Sequence, residues 1–232
     1  MDTLVLFPGL ISDSRVWQPL ADALQEKMPI HHADTRNGDS LTAIAEIALN
    51  HTTGNLLVAG HSMGGRIALE LARLAPGRVT GLILADTGYA PIHETEFIKR
   101  QAVIDLGHES MEKLVDQWLP PMVHQDRLED SEFMRSLRDM VLTFDAQTHE
   151  QQIRALINRP DAGAYLPDIN CPTLLLVGRQ DSWSPVAQHQ EIAEMMPNAR
   201  LAVIEDAGHF APIEQPRVVS RLVQAWIDGG LN

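Results

Sequence analysis

The sequence is poor in cysteine, in positive charge and in long apolar runs. Its single cysteine, Cys171, excludes an internal disulfide and is compatible with a reducing compartment. Lysine and arginine number 18 against 31 aspartates and glutamates, a formal net charge of −13, and the average field therefore repels nucleic acid and anionic membranes. The opening residues, MDTLVLFPGL, carry no basic segment and Pro8 ends their apolar run, so neither a signal peptide nor a membrane span is predicted. We therefore expect a cytoplasmic protein without nucleic-acid or membrane partners.

The remaining composition is that of an ordinary globular domain. The chain has 232 residues, of which 44% are hydrophobic and 21% are charged, which is enough to bury a full core. This length fits one domain with an insertion better than two independent domains.

Short apolar runs alternate with segments of helical spacing along most of the chain. The runs predict strands at residues 4–7, 30–33, 56–59, 79–85, 173–177 and 201–204. Helical spacing predicts helices at residues 16–27, 41–50, 64–74, 186–195 and 215–227, with Ser40 as a cap. Continuous apolar strands between helices indicate an α/β fold with a mostly parallel central sheet and helices on both faces.

One long segment departs from this alternation. Residues 89–166 contain several amphipathic helical stretches and no convincing strand. We therefore predict a core formed by residues 1–88 and 167–232, with residues 89–166 as a helical cap inserted into it.

A serine between glycines stands where a predicted strand becomes a helix. The stretch Gly60-His61-Ser62-Met63-Gly64 matches the G-x-S-x-G pattern, in which small residues let the strand and the helix approach closely and the hydroxyl is pushed into a cleft. The helix that follows directs backbone N–H groups toward that point, where negative charge develops during acyl transfer. Ser62 is therefore the predicted nucleophile.

A serine nucleophile needs a base, and ten histidines compete for that role. His209 follows the last predicted strand, at the same carboxyl edge of the sheet as Ser62, and is the predicted base. His61 is expected to pack within the turn, and the adjacent His31 and His32 project to opposite faces, a poor metal pair. The others are expected on the surface: His51, His93, His108, His124, His149 and His189. We predict no metal site.

The acid that orients the histidine is predicted to be Asp181. It lies four residues beyond the strand at 173–177 and gives the chain order Ser, Asp, His. Asp86, just past the strand that ends at residue 85, is the serious alternative. Asp206, three residues before His209, is better explained as a turn residue.

Two backbone N–H groups are expected to stabilise the oxyanion. One belongs to Met63, which follows the nucleophile, and the other to Leu10 in the loop after the first strand. Gly9 is expected to supply the unusual backbone angles that aim the second N–H.

Taken together, these motifs resemble the α/β-hydrolase fold over nearly the whole chain. The resemblance is greatest to the small cytoplasmic carboxylesterases with a helical cap that include the pimeloyl-carrier-protein methyl ester esterases. It implies Ser62 as nucleophile, His209 as base, Asp181 as acid, Leu10 and Met63 as oxyanion donors, and no cofactor. Many relatives have His-Gly where this chain has Pro8-Gly9, and the sheet begins at what is usually its third strand. The replacement of His-Gly by Pro8-Gly9 makes it harder to infer the substrate of this protein from its relatives.

The predicted activity is hydrolysis of a carboxylic ester of a small or medium apolar molecule through an acyl-enzyme. The triad alone leaves open carbon–carbon bond hydrolysis or elimination, a thioesterase acting on acyl carriers, and a non-catalytic ligand receptor. Lys99, Arg100 and Arg127 are the grouped basic residues that a carrier would meet, although the favoured explanation for them is solvated helix faces. The expected assembly is a monomer or a small homo-oligomer. Candidate pocket residues are Tyr89, Trp118, Met122 and Trp183.

Overall fold

The computed structural model describes residues 2–231, so residues 1 and 232 at the ends of the predicted core lie outside it. Within this range six strands form one parallel sheet in the order β2-β1-β3-β4-β5-β6. The strands are β1 (Thr3–Phe7), β2 (Ile30–His32), β3 (Leu56–His61), β4 (Val79–Ala85), β5 (Thr173–Gly178) and β6 (Ala199–Ile204). The predicted α/β class and parallel sheet are confirmed.

Helices cover both faces of this sheet. Every residue of β3 and β5 is buried, and because strand side chains alternate between faces, neither face is open to water there. The pairs α1 with α10 and α2 with α3 pack together. The helices outside the long insertion are α1 (Gln18–Leu24), α2 (Leu41–Asn50), α3 (Met63–Leu74), α8 (Val186–Met195), α9 (Ala211–Glu214) and α10 (Pro216–Asp228).

Local sequence explains where several elements begin. Ser40 caps α2, because its hydroxyl oxygen accepts a hydrogen bond from the backbone N–H of Ala43 at 3.1 Å. The helix predicted at residues 16–27 is shorter, since a separate 3-10 turn, Ser14–Val16, precedes α1. The last helix is preceded by the short α9, so two helices rather than the one predicted follow β6.

The segment between β4 and β5 is helical, as the sequence predicts. Its helices are α4 (Glu94–Glu109), α5 (Met111–Trp118), α6 (Ser131–Val141) and α7 (Ala146–Ile157). Helix α4 packs against both α5 and α7. We refer to residues 89–166 as the cap; its division from the core as a separate domain stays a prediction.

Within residues 2–231, no helix combines the length and the apolar character that crossing a membrane requires.

Candidate active site

The loops at the carboxyl edge of the sheet bring the predicted catalytic side chains together. Ser62 occupies the turn between β3 and α3 with φ 54° and ψ −115°, a conformation that is strained for any residue with a side chain. A Cβ on Gly60 would lie 2.2 Å from the carbonyl oxygen of Gly64, so only glycine permits this approach of strand and helix. The hydroxyl of Thr87 donates to the Ser62 carbonyl at 2.6 Å and helps to hold the turn.

His209 lies between Ser62 and Asp181. Its Nε2 is 2.8 Å from the Oγ of Ser62, and its Nδ1 is 2.9 Å from the Oδ2 of Asp181. Because a carboxylate only accepts, Nδ1 carries the proton and Nε2 is left to accept from the serine hydroxyl. The backbone N–H of His209 donates to the Met122 carbonyl at 2.6 Å, so the cap fixes the position of this loop.

Asp181 is held in an anionic, fixed orientation. Its Oδ1 accepts hydrogen bonds from the backbone N–H groups of Trp183 and Ser184 at 2.8 and 3.0 Å. Burial by itself would raise the pKa of Asp181, but His209 and these two N–H groups together lower it below the ordinary value. The carboxylate therefore stays ionised beside the imidazole.

The alternative acid, Asp86, does not contact His209. Its two carboxylate oxygens accept from the backbone N–H groups of Gly178, at 2.8 Å, and Ala211, at 3.1 Å. Burial, followed by the charge of Asp181, raises the pKa of Asp86 well above its ordinary value. Asp86 thus connects the end of β5, which leads to Asp181, with the segment that follows His209. Asp206 has φ 53°, as expected of a turn residue.

The N–H groups of Leu10 and Met63 are available to a ligand. Both residues line the cavity at Ser62, and within residues 2–231 neither N–H has a protein acceptor. The expectation for Gly9 is wrong, since the positive φ belongs to Ile11, at 41°. Gly9 is needed for space instead, because a Cβ there would lie 2.9 Å from the Nδ1 of His61.

A cavity of about 480 Å³ opens above Ser62, between the sheet edge and the cap. Trp118, Met122 and Trp183 line it, and half of the Trp183 surface, 51%, is exposed. Tyr89 does not line it, which corrects the prediction. Its carbonyl accepts from the N–H of Ala162, and its hydroxyl donates to Glu191 on α8 at 2.9 Å, so the ring is directed away from the cavity.

Charged side chains line the same cavity, and half of the four cationic ones are absent from the sequence prediction. Arg66, on α3, and Arg159, after α7, join Lys99 and Arg100 of α4 in its wall. The predicted third member of the basic group, Arg127, is not among the lining residues. It donates to the carbonyl of Glu214 and stacks on Phe133, with its guanidinium carbon 5.1 Å from the ring centroid.

Three histidines expected on the surface are buried instead. His189 accepts from the N–H of Thr87 at 3.1 Å, and burial lowers its pKa to about 4. Burial and the neighbouring His108 lower the pKa of His149, also to about 4. His124 is 7% exposed. His61 packs within the turn as predicted, where its Nε2 donates to the His209 carbonyl at 2.6 Å.

No group of three or more His, Cys, Asp or Glu side chains within residues 2–231 is arranged to hold a metal ion.

Comparison with known proteins identifies the family of this chain. The model of the alpha/beta hydrolase family matches residues 4–222, and the chain belongs to that family. Its activity class is therefore that of a hydrolase.

Three relatives illustrate the range of activities in the family. A protein named as the carbamate hydrolase RutD, from Pseudomonas syringae pv. syringae, is 26% identical over 97% of this chain and 93% of its own length. The pimeloyl-[acyl-carrier protein] methyl ester esterase of Aromatoleum aromaticum is 25% identical over 97% and 98%. The solved structure of a thermophilic esterase from Thermogutta terrifontis, with malate bound, has a TM-score of 0.90 and 25% identity, and covers 100% of this chain and 91% of that one.

Proposed function

We propose that this protein hydrolyses carboxylic esters through an acyl-enzyme formed on Ser62. The observation that carries the proposal is the continuous hydrogen-bonded path from the Ser62 hydroxyl through His209 to Asp181, at 2.8 and 2.9 Å. A serine hydroxyl becomes a competent nucleophile only when a base in this position removes its proton.

In the proposed reaction His209 takes the proton as the Ser62 oxygen attacks the ester carbonyl. The N–H groups of Leu10 and Met63 then donate to the oxyanion of the tetrahedral intermediate. His209 returns the proton to the leaving alcohol and later activates the water that releases the acid. Asp181 keeps the imidazole in the required tautomer and stabilises its charged form. These steps use side chains and backbone groups of this chain alone, so we propose that no cofactor is required.

The size and lining of the cavity support a small or medium substrate with an apolar part. A volume of about 480 Å³ lies in the range of small-molecule sites, and the indole of Trp118 and the thioether of Met122 supply apolar contacts. Esters and carbamates both present a carbonyl to the serine, so both belong in the test.

We further propose that the enzyme works in the cytoplasm as a monomer or small homo-oligomer on a small-molecule ester. A single cysteine and an acidic surface, with a net charge of −13, support this setting. Light scattering coupled to gel filtration measures the assembly.

The test uses p-nitrophenyl esters from acetate to decanoate and one p-nitrophenyl carbamate. Ser62→Ala is expected to lower turnover by about 10³-fold or more while the fold is retained, and Ser136→Ala, at an exposed position on α6, is the matched control. Intact mass is expected to show an acyl adduct on the native chain and none on Ser62→Ala.

An unchanged rate in Ser62→Ala contradicts the proposal. A single burst without recycling favours a ligand receptor, and the absence of any acyl adduct with clean folded protein favours carbon–carbon cleavage or elimination.

A further inference from the structure

The cavity at Ser62 concentrates positive charge in a chain that is acidic overall. Its wall contains four cationic side chains and a single carboxylate, that of Glu96, whereas the whole chain has a formal charge of −13. The cationic residues are Arg66, Lys99, Arg100 and Arg159. An excess of cations in a small cavity attracts and orients an anionic ligand.

One member of this group, Arg159, is fully occupied by the protein. Arg159 donates from all three of its nitrogens, to the carbonyls of Ala90, Pro91 and Leu156 and to both carboxylate oxygens of Glu96. Its side chain is 4% exposed. The Arg159–Glu96 pair fixes the start of α4 against the chain after α7. Arg159 has no donor left for a ligand.

Arg66 is different, because most of its donors are unused. One Nη1 hydrogen goes to the Ala90 carbonyl at 3.0 Å, and within residues 2–231 its Nη2 and Nε have no acceptor. Burial, then the charges of Arg159 and Arg100, lowers the pKa of Arg66 to about 9. A guanidinium destabilised in this way gains from any anion that enters the cavity.

The position of Arg66 suits a ligand that reacts at Ser62. It lies four residues after Ser62, one turn along α3, where residues share a helix face. Gly88 provides room for the guanidinium, since a Cβ there would lie 2.8 Å from Nη2. Arg100 uses only its Nε, on Glu96 at 2.7 Å, and keeps its two terminal nitrogens free within the described chain.

We propose that the cavity binds an ester whose far end is a carboxylate, which Arg66 receives together with Arg100 while the ester carbonyl lies at Ser62. The planar fork of one guanidinium matches one carboxylate. Glu96 already neutralises part of the cluster, which favours a carboxylate over a more highly charged phosphate. This inference rests on the proposed ester hydrolysis and narrows its substrate class to hemiesters of dicarboxylic acids and their analogues.

The test compares two substrates that differ only at the far end: the p-nitrophenyl hemiester of adipic acid and the same compound with that carboxyl methylated. The native chain is expected to prefer the free acid in kcat/KM by roughly 10- to 100-fold, as charged hydrogen bonds of this kind provide. Arg66→Gln is expected to lose that preference, so that the variant's kcat/KM for the free acid falls to its value for the methylated compound.

Arg135→Gln is the matched control, because it removes a cap charge from the exposed surface of α6, outside the cavity. Arg100→Gln, expected to lose part of the preference, keeps the test decisive if Arg66→Gln does not fold. No preference in the native chain, or a preference retained in Arg66→Gln, overturns the inference.

A binding measurement separates this inference from the proposed reaction. Ser62→Ala is titrated calorimetrically with monomethyl adipate, dimethyl adipate and inorganic phosphate. The inference is supported if the monoester binds more tightly than dimethyl adipate and if Arg66→Gln, added to Ser62→Ala, abolishes this difference. That result supports the carboxylate site even if no ester is hydrolysed. Equal binding of the two adipates, or tighter binding of phosphate, overturns it.

Discussion

The carboxylate of Glu214 accepts a hydrogen bond from the backbone N–H of His124 at 2.6 Å, and this contact joins the loop of His209 to the cap. The other carboxylate oxygen accepts from the N–H groups of Gly208 and Phe210, on either side of His209, at 2.9 and 3.1 Å. Glu214 is fully buried, and burial raises its pKa despite these donors. The carboxylate thus positions the imidazole without touching it.

Glu214→Gln is expected to lower the free energy of unfolding by about 1–3 kcal/mol and to reduce kcat. The glutamine amide nitrogen would meet a backbone N–H that needs an acceptor, leaving buried donors unpaired. Urea unfolding and ester turnover measure the two effects. Glu129→Gln, on the exposed cap surface, is the control, and equal stability of the two variants would contradict the role of Glu214.

Asn substitution distinguishes the roles of the two buried aspartates. Asp181→Asn is expected to reduce kcat by about 10³- to 10⁴-fold, because the amide favours the wrong imidazole tautomer. Asp86→Asn is expected to lower stability by about 1–3 kcal/mol and to change kcat by less than about tenfold, since Asp86 accepts only from backbone N–H groups. A larger kcat loss in Asp86→Asn than in Asp181→Asn would reverse the assignment.

The strained backbone of Ser62 predicts a stability difference between two inactive variants. At φ 54° and ψ −115°, alanine keeps the strain and glycine relieves it. We expect Ser62→Gly to unfold at higher urea than Ser62→Ala, by about 1 kcal/mol, with turnover lost in both. Equal midpoints would mean that the turn stores no strain.

Acid is expected to weaken the attachment of α4 through Glu96. Burial alone would raise the pKa of Glu96, but hydrogen bonds from Arg159 and Arg100 and their charges lower it from 4.5 to about 2. Because the folded pKa is depressed, this stabilisation is fully present above pH 4.5 and is lost as the pH falls toward 2.

Glu96→Gln tests this by removing the titrating group. Between pH 5 and 3 the native chain is expected to lose about 1 kcal/mol more of its unfolding free energy than the variant, after allowance for partial exposure of Glu96. Urea unfolding at several pH values gives both curves. Glu205→Gln, which breaks an exposed pair with Arg179, serves as the control, and parallel curves for native chain and Glu96→Gln would refute the prediction.

The meeting of Ser62, His209 and Asp181 was predictable because its signals are local or topological. Glycine spacing around Ser62 defines the sharp turn, and the carboxyl ends of parallel strands meet at one edge whatever the details of packing. That rule brings Asp181 and His209 to Ser62 from more than a hundred residues away. Residues 41–50, 79–85 and 186–195 match the observed elements to the residue; Ser40 caps the first of them, and Pro185 immediately precedes the last.

The cavity wall was not predictable in the same way. Arg66 and Arg159 are separated by most of the cap, and their approach depends on how α4 and α7 pack together. One signal for Arg66 was nevertheless present in the sequence. This residue lies four residues after Ser62 on a predicted helix, and residues with that spacing lie on the same helix face. His149 and His189 have the sequence surroundings of surface residues, and only tertiary packing buries them.

The cap leaves the sheet after β4 and rejoins it at β5, which is the adjacent strand, with Leu82 opposite Thr173. Its two ends are therefore neighbours, and an insertion of almost any length can be accommodated there without altering the order of strands. Variation in this segment can therefore alter the cavity wall without altering the order of strands. The prediction that the cap is a separate unit implies that it can be exchanged, provided that a replacement reproduces the Met122 carbonyl and His124 N–H that hold the His209 loop.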